Sequence, residues 1–163
     1  MGPNYYIFRE EGGTLAAIMP KPSGEWLSED VSCLKAAGFG MIVSLLEAQE
    51  ARELGLVEEG RACSAVGLEF LHFPIADRGI PESRLHFENL VSELFVKINS
   101  GISIAIHCRA GIGRSGMVAA ALLINDGNTV DAAIEAVSAS RNVTTPDTEE
   151  QVEFLQQQTR LSR

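Results

Sequence analysis

Short apolar, β-branched runs alternate along this chain with longer stretches in which apolar residues return every three or four positions, so strands and helices are expected in turn. Tyr5–Phe8 and Thr14–Ile18 read as opening strands, with Gly12-Gly13 between them as a hairpin signal. Beyond the glycine and prolines of 20–24, Leu27, Val31 and Leu34 recur at helical spacing, which predicts a helix over about 26–37 ended by Gly38. Met41–Leu45 follows as a strand, then one helical stretch over roughly 47–66, then the strand Glu69–Phe73. A helix over about 82–99 leads to the strand Ile102–Ile106, and helices near 115–125, 129–140 and 147–160 complete the pattern. The expected fold class is α/β: a single domain over 1–163 with a central, mostly parallel sheet flanked by helices on both faces. Ligands of such sheets bind outside the carboxyl ends of the strands, which directs attention to the residues after Ile106.

Those residues are His107 to Gly116, HCRAGIGRSG. They place a cysteine and an arginine on either side of a glycine-bearing loop, at a strand-to-helix turn. Gly111 and Gly113 can take positive φ without penalty, so the backbone can curl until successive N–H groups face one centre at a helix N-terminus. The fork of Arg114 can hold two phosphate oxygens at once, which a lysine cannot do with the same geometry. Cys108, beside those dipoles and that charge, is expected to react as a thiolate. Arg109, Ala110, Gly111, Ile112, Gly113 and Arg114 together form the expected phosphate-binding loop.

His107 to Ser115 resembles, position by position, the His-Cys-x5-Arg-Ser/Thr loop of the cysteine-dependent protein tyrosine and dual-specificity phosphatases. The resemblance implies their fold, and a cysteinyl-phosphate intermediate on Cys108, phosphoryl binding by Arg114 and stabilisation of the leaving sulfur by Ser115. It also implies a general acid on a loop about thirty residues upstream. Leu71 to Pro81, LHFPIADRGIP, supplies Asp77 between Pro74 and Pro81, and PIADRGIP is similar to the corresponding loop of the kinase-associated phosphatases. The plainer reading of Asp77 is a residue capping the turn at Gly79. Thr145 to Gln157 is similar to the family's last helix, whose early glutamine orients the attacking water. Gln151 would carry that role, or stand as an ordinary solvated helical residue.

Two related chemistries share parts of this pattern. Sulfurtransferase loops also set a cysteine on an anion-binding turn, but need no upstream acid. Phosphoinositide phosphatases often carry basic residues at the first and fourth x positions, where this chain has Arg109 and the apolar Ile112. A phosphate-binding module without turnover usually lacks the cysteine, the arginine or the acid, and all three candidates are present.

Composition narrows the rest. With 163 residues, 45% hydrophobic and 21% charged, the chain can bury a proper core. Three cysteines without Cys-x2-Cys spacing argue against a disulfide scaffold or structural zinc, and Cys33 and Cys63 are expected to be core residues, either of which could meet Cys108 as a redox partner. The three histidines, His72, His86 and His107, have no ligand spacing, so no metal or cofactor is expected and His107 should orient the loop by hydrogen bonding. A formal charge of −9 disfavours nucleic acid, whereas Arg78, Arg109 and Arg114 concentrate positive charge where a phosphorylated protein or peptide would bind. The longest apolar run, Met117–Ile124, is far short of the roughly twenty residues that span a bilayer. A cytoplasmic protein without a membrane anchor is the expectation.

Overall fold

The computed structural model describes residues 2–161; Met1, Ser162 and Arg163, the ends of the expected domain, lie outside the described residues. Five strands form one sheet in the order β1-β2-β5-β3-β4. β1 (Tyr6–Glu11) and β2 (Thr14–Met19) form an antiparallel hairpin on one edge. Gly12 and Gly13 both take positive φ at its turn, as a two-residue connection that follows strand twist requires. β3 (Phe39–Ser44), β4 (Glu69–His72) and β5 (Ser103–His107) are parallel to one another and to β2. The sheet is therefore mostly parallel, as expected.

Every residue of β5 is buried, because successive side chains enter different cores. Ile104 and Ile106 pack on one face with α4 (Arg84–Asn99), α5 (Gly113–Asn125), α6 (Val130–Arg141) and α7 (Glu149–Leu161), while Ala105 faces α1 (Leu27–Ala36) and Cys63. α5 is buried from Gly113 through Leu123, and three successive alanines, Ala119–Ala121, keep it thin enough for neighbours to close around it. An apolar helix of this kind has no solvent stripe. Its first turn, and not a point two residues later, begins at Gly113, so Arg114 and Ser115 are already helical.

The expected single helix over 47–66 is instead two, α2 (Ala48–Glu53) and α3 (Glu59–Ala65). The break falls at Gly55, whose φ of 72° ends the first helix in the left-handed region. β3 starts earlier than expected, at Phe39, because Gly40 tolerates the irregular pairing with β5 between Phe39 and Met41. β1 likewise runs on to Glu11, continuing the ladder to the hairpin turn.

Candidate active site

β5 ends at His107 and α5 begins at Gly113, so the intervening loop lies at the carboxyl end of the central strand. Its carbonyl oxygens are all tied outward. The backbone N–H of Lys21 donates to Arg109 O (3.1 Å), and Arg141 of α6 donates from Nη2 to Ala110 O and from Nε to Gly111 O, both at 3.2 Å. The Arg141 guanidinium is itself braced 4.2 Å from the Tyr6 ring centroid. With its carbonyls held this way, the loop keeps its N–H groups for an anion.

Only one of the two loop glycines adopts positive φ. Gly111 has φ 72°, and a Cβ there would lie 2.4 Å from the Met19 carbonyl carbon, so its hydrogen is required by conformation and by space. Gly113 is helical; its missing side chain leaves room for the Asp147 carboxylate, which would sit 2.3 Å from a Cβ.

Arg114 is 2% exposed and its fork is fully directed. Nη1 donates to Glu50 Oε1 (2.6 Å) and to Ile75 O (2.9 Å); Nη2 donates to Glu50 Oε2 (3.0 Å) and to Asp77 Oδ1 (3.1 Å). Glu50 also accepts from the backbone N–H of Glu47 (3.0 Å) and from Arg109 Nε (3.3 Å). Burial works against the charge of Glu50, but the bonds from Arg114, Glu47 and Arg109 outweigh it and hold the carboxyl below its ordinary range. Burial likewise opposes the charge of Arg114, and Glu50 together with the charges of Cys108 and Asp77 keeps the guanidinium protonated. Glu50 is thus part of the site, although nothing in the sequence reading singled it out. Its one local signal is the Glu47-x-x-Glu50 spacing of a helix start, which predicts a cap and not an arginine clamp.

Because Glu50 titrates at lower pH when folded, its contribution to stability is complete above the usual carboxylate range and is lost as pH falls through its depressed value. Glu50→Gln should therefore cost on the order of 3 kcal/mol near neutral pH, where it leaves a buried guanidinium with a neutral partner, and the gap from the parent should shrink in acid. Urea unfolding of both proteins at pH 7 and pH 3 measures this. A gap that does not change with pH would mean that the Glu50 charge is not what holds Arg114.

Asp77 is on the loop between β4 and α4, with its side chain about half exposed. The loop is tied down at several points: Ile75 N–H donates to Leu45 O (3.1 Å), Gln151 Nε2 to Gly79 O (3.0 Å), and Arg78, with φ 61°, reaches Asp147 Oδ2 from Nη1 (3.3 Å). Gln151 is fully buried, not solvated, and its Oε1 has no hydrogen-bond partner among the described residues. That acceptor lies against Gly113, 3.2 Å from where its Cβ would be. Ser115 is also fully buried with an unspent hydroxyl.

Asp77, Arg78, Cys108, Arg109, Ala110, Gly113, Arg114 and Asp147 line one cavity of about 220 Å³. The structure so brings the nucleophile, arginine and acid named from the sequence to one pocket, and adds Asp147. Ile112 only caps α5, and Arg109, partly exposed, leans on Glu50. All three cysteines are free thiols, and burial together with the charge of Glu59 pushes the Cys63 thiol up to about 12. Such a thiol is a poor redox partner for Cys108. No group of metal-binding side chains occurs among the described residues. Nor does any described helix have the length and apolarity to cross a membrane.

Residues 18–128 match the family described as polymorphic toxin system, DSP-PTPase phosphatase. The chain belongs to the DSP-PTPase phosphatases. A relative named "Putative tyrosine phosphatase 197R", of Invertebrate iridescent virus 6, is 29% identical over 157 residues, covering 93% of this chain and 55% of the viral protein. The chain thus spans about half the length of that curated relative. Among solved structures, kinase associated phosphatase with its catalytic cysteine changed to serine superposes with a TM-score of 0.87 at 21% identity, over 99% of this chain and 96% of the other. The active form of Tk-PTP gives 0.80 at 26% identity, over 97% of each chain. The DSP-PTPase match runs from the end of β2 through the whole of α5, and so includes the cysteine loop and the acid loop.

Proposed function

We propose that this DSP-PTPase hydrolyses phosphomonoesters of tyrosine, or of tyrosine and serine or threonine, in proteins through a cysteinyl-phosphate on Cys108. The observation that carries the reading is the shared cavity: a buried Cys108, residues of its loop, Arg114 and Asp77 line one space, with Arg114 bonded to the Asp77 carboxyl. In the first step the Cys108 sulfur forms a bond to phosphorus while the phosphorus–ester oxygen bond breaks, and the departing oxygen takes a proton from Asp77. Arg114 and the loop N–H groups of residues 109–113 bear the equatorial charge. In the second step water attacks phosphorus, giving a proton to Asp77, and the sulfur leaves as thiolate beside the Ser115 hydroxyl. The orphaned acceptor of Gln151 suits it to hold that water. His107 supports the loop from beneath, and Arg78 holds the acid loop against Asp147.

The domain so read spans 1–163 and needs no metal or cofactor. Three unpaired cysteines favour a reducing compartment such as the cytoplasm.

A panel of phosphotyrosyl and phosphothreonyl peptides, phosphoinositides and nucleotides, assayed with EDTA present, tests the proposal. Phosphopeptides should be hydrolysed undiminished by the chelator and blocked by vanadate. Activity that disappears on chelation and returns with a divalent ion would overturn the mechanism. Preference for phosphoinositides would overturn the substrate class alone.

A further inference from the structure

Beneath the loop, on the side away from the cavity lining, His107 and Glu59 form a fully enclosed pair. His107 Nε2 lies 2.6 Å from Glu59 Oε2, and their side chains are 0% and 2% exposed. The other ring nitrogen, Nδ1, lies 3.1 Å from the carbonyl oxygen of Cys108. A carbonyl oxygen only accepts, so Nδ1 carries a proton. With Glu59 ionised, its oxygen only accepts and Nε2 carries a proton as well.

From this geometry we infer that Glu59 is a positioning residue for the phosphatase reaction: it keeps His107 doubly protonated, so that the ring both anchors the Cys108 carbonyl and sets a positive charge beneath the cysteine. The inference rests on the phosphatase reading of Cys108. The other groups near Glu59 do not replace its partner. Cys63 remains a neutral thiol. His72 is engaged through Nε2 with Leu46 O (2.6 Å), and the Ser44 hydroxyl accepts from the Leu46 N–H (3.4 Å). Arg52 of α2 lines a cavity together with Glu59, but its Nη2 donates to Gln49 Oε1 (2.6 Å), and the bonded partner of Glu59 is His107, which is bonded in turn to the residue carrying the sulfur. Arg114 neutralises the substrate from the cavity side; His107 stabilises the thiolate from below, and Glu59 makes that second charge affordable inside the core.

Glu59 comes from α3, almost fifty residues before the cysteine, and lines a separate cavity of about 260 Å³ with Ser44, Phe70 and His72. That space accommodates a glutamine. In Glu59→Gln the amide can donate to an unprotonated Nε2 while Nδ1–H keeps its bond to Cys108, so the variant removes the charge and retains the geometry.

The test is spectroscopic first. In protein labelled with ¹⁵N-histidine, His107 should show both ring nitrogens protonated at neutral pH in the parent, and only Nδ1 protonated in Glu59→Gln. Alkylation of Cys108 by iodoacetamide at pH 6 and kcat for a phosphopeptide should each fall about tenfold in Glu59→Gln, with KM little changed, and further in Glu59→Ala. Glu59→Asp should restore double protonation and part of the rate. A parent spectrum with a singly protonated His107, as when the proton resides on Glu59, overturns the inference without any variant having to fold. So does Glu59→Gln with unchanged alkylation and kcat. If instead the parent alkylates readily and binds phosphate but turns over no phosphoester, the phosphatase reading fails while the His107–Glu59 pair stands.

Discussion

Cys108→Ser is expected to abolish hydrolysis of an aryl phosphate, by more than about 10⁴-fold, while leaving the fold and inorganic phosphate binding close to those of the parent. The two outcomes separate because the groups that bind phosphate are not the group that attacks it. Arg114 is positioned by hydrogen bonds to Glu50 and Ile75, and the loop carbonyls by hydrogen bonds from Lys21 and Arg141, none of which involves the sulfur. A hydroxyl in place of the thiol is not ionised near neutral pH and so is a poor nucleophile. Turnover and calorimetric phosphate binding on the same preparation check this. Residual turnover near that of the parent would move the nucleophile elsewhere.

Asp77→Asn should slow hydrolysis of tyrosyl or alkyl phosphates by about 10²–10⁴-fold, and of esters with strongly electron-withdrawing phenols much less. A phenolate already stabilised by its ring needs little proton assistance, so cysteinyl-phosphate formation stays fast without the acid. The placement of Asp77 supports the prediction: it lines the cavity with its side chain about half exposed, whereas Cys108 and Arg114 are buried. Rates across a series of leaving groups measure it. Equal losses for every ester would show Asp77 to be a turn residue, and Glu82 would become the next acid to examine.

What was legible in the sequence was what is contiguous. Binding a phosphate over a sulfur requires a short curled segment, so Cys108, Gly111, Arg114 and Ser115 stand close together and carry a readable pattern. Asp77 was legible because its loop is bracketed by Pro74 and Pro81. Glu50, Glu59, Arg141 and Asp147 were not, since each reaches the loop from a different segment and leaves no local trace beyond an ordinary helical or turn position. The run from Glu47 to Val66 reads as one helix because charged and apolar residues keep helical spacing across it. The break at Gly55 depends on a backbone conformation that a single glycine permits but does not announce. Gln151 illustrates the reverse: a polar residue on a helix start reads as solvated, and only packing against Gly79 and Gly113 encloses it.

A guanidinium has five N–H bonds, and four of those on Arg114 are already committed: two to Glu50, one to Ile75 and one to Asp77. Among the described residues, Nε–H is the one N–H of Arg114 left for an incoming anion. A phosphoryl group held by two parallel bonds, through Nε and Nη2, must therefore dislodge the Asp77 carboxylate. The resting protein carries its own tethered competitor, present at the high local concentration that a short loop enforces. On the proposed mechanism, arrival of the phosphate and liberation of the acid would be a single exchange, leaving Asp77 free to face the ester oxygen only once there is an ester to cleave.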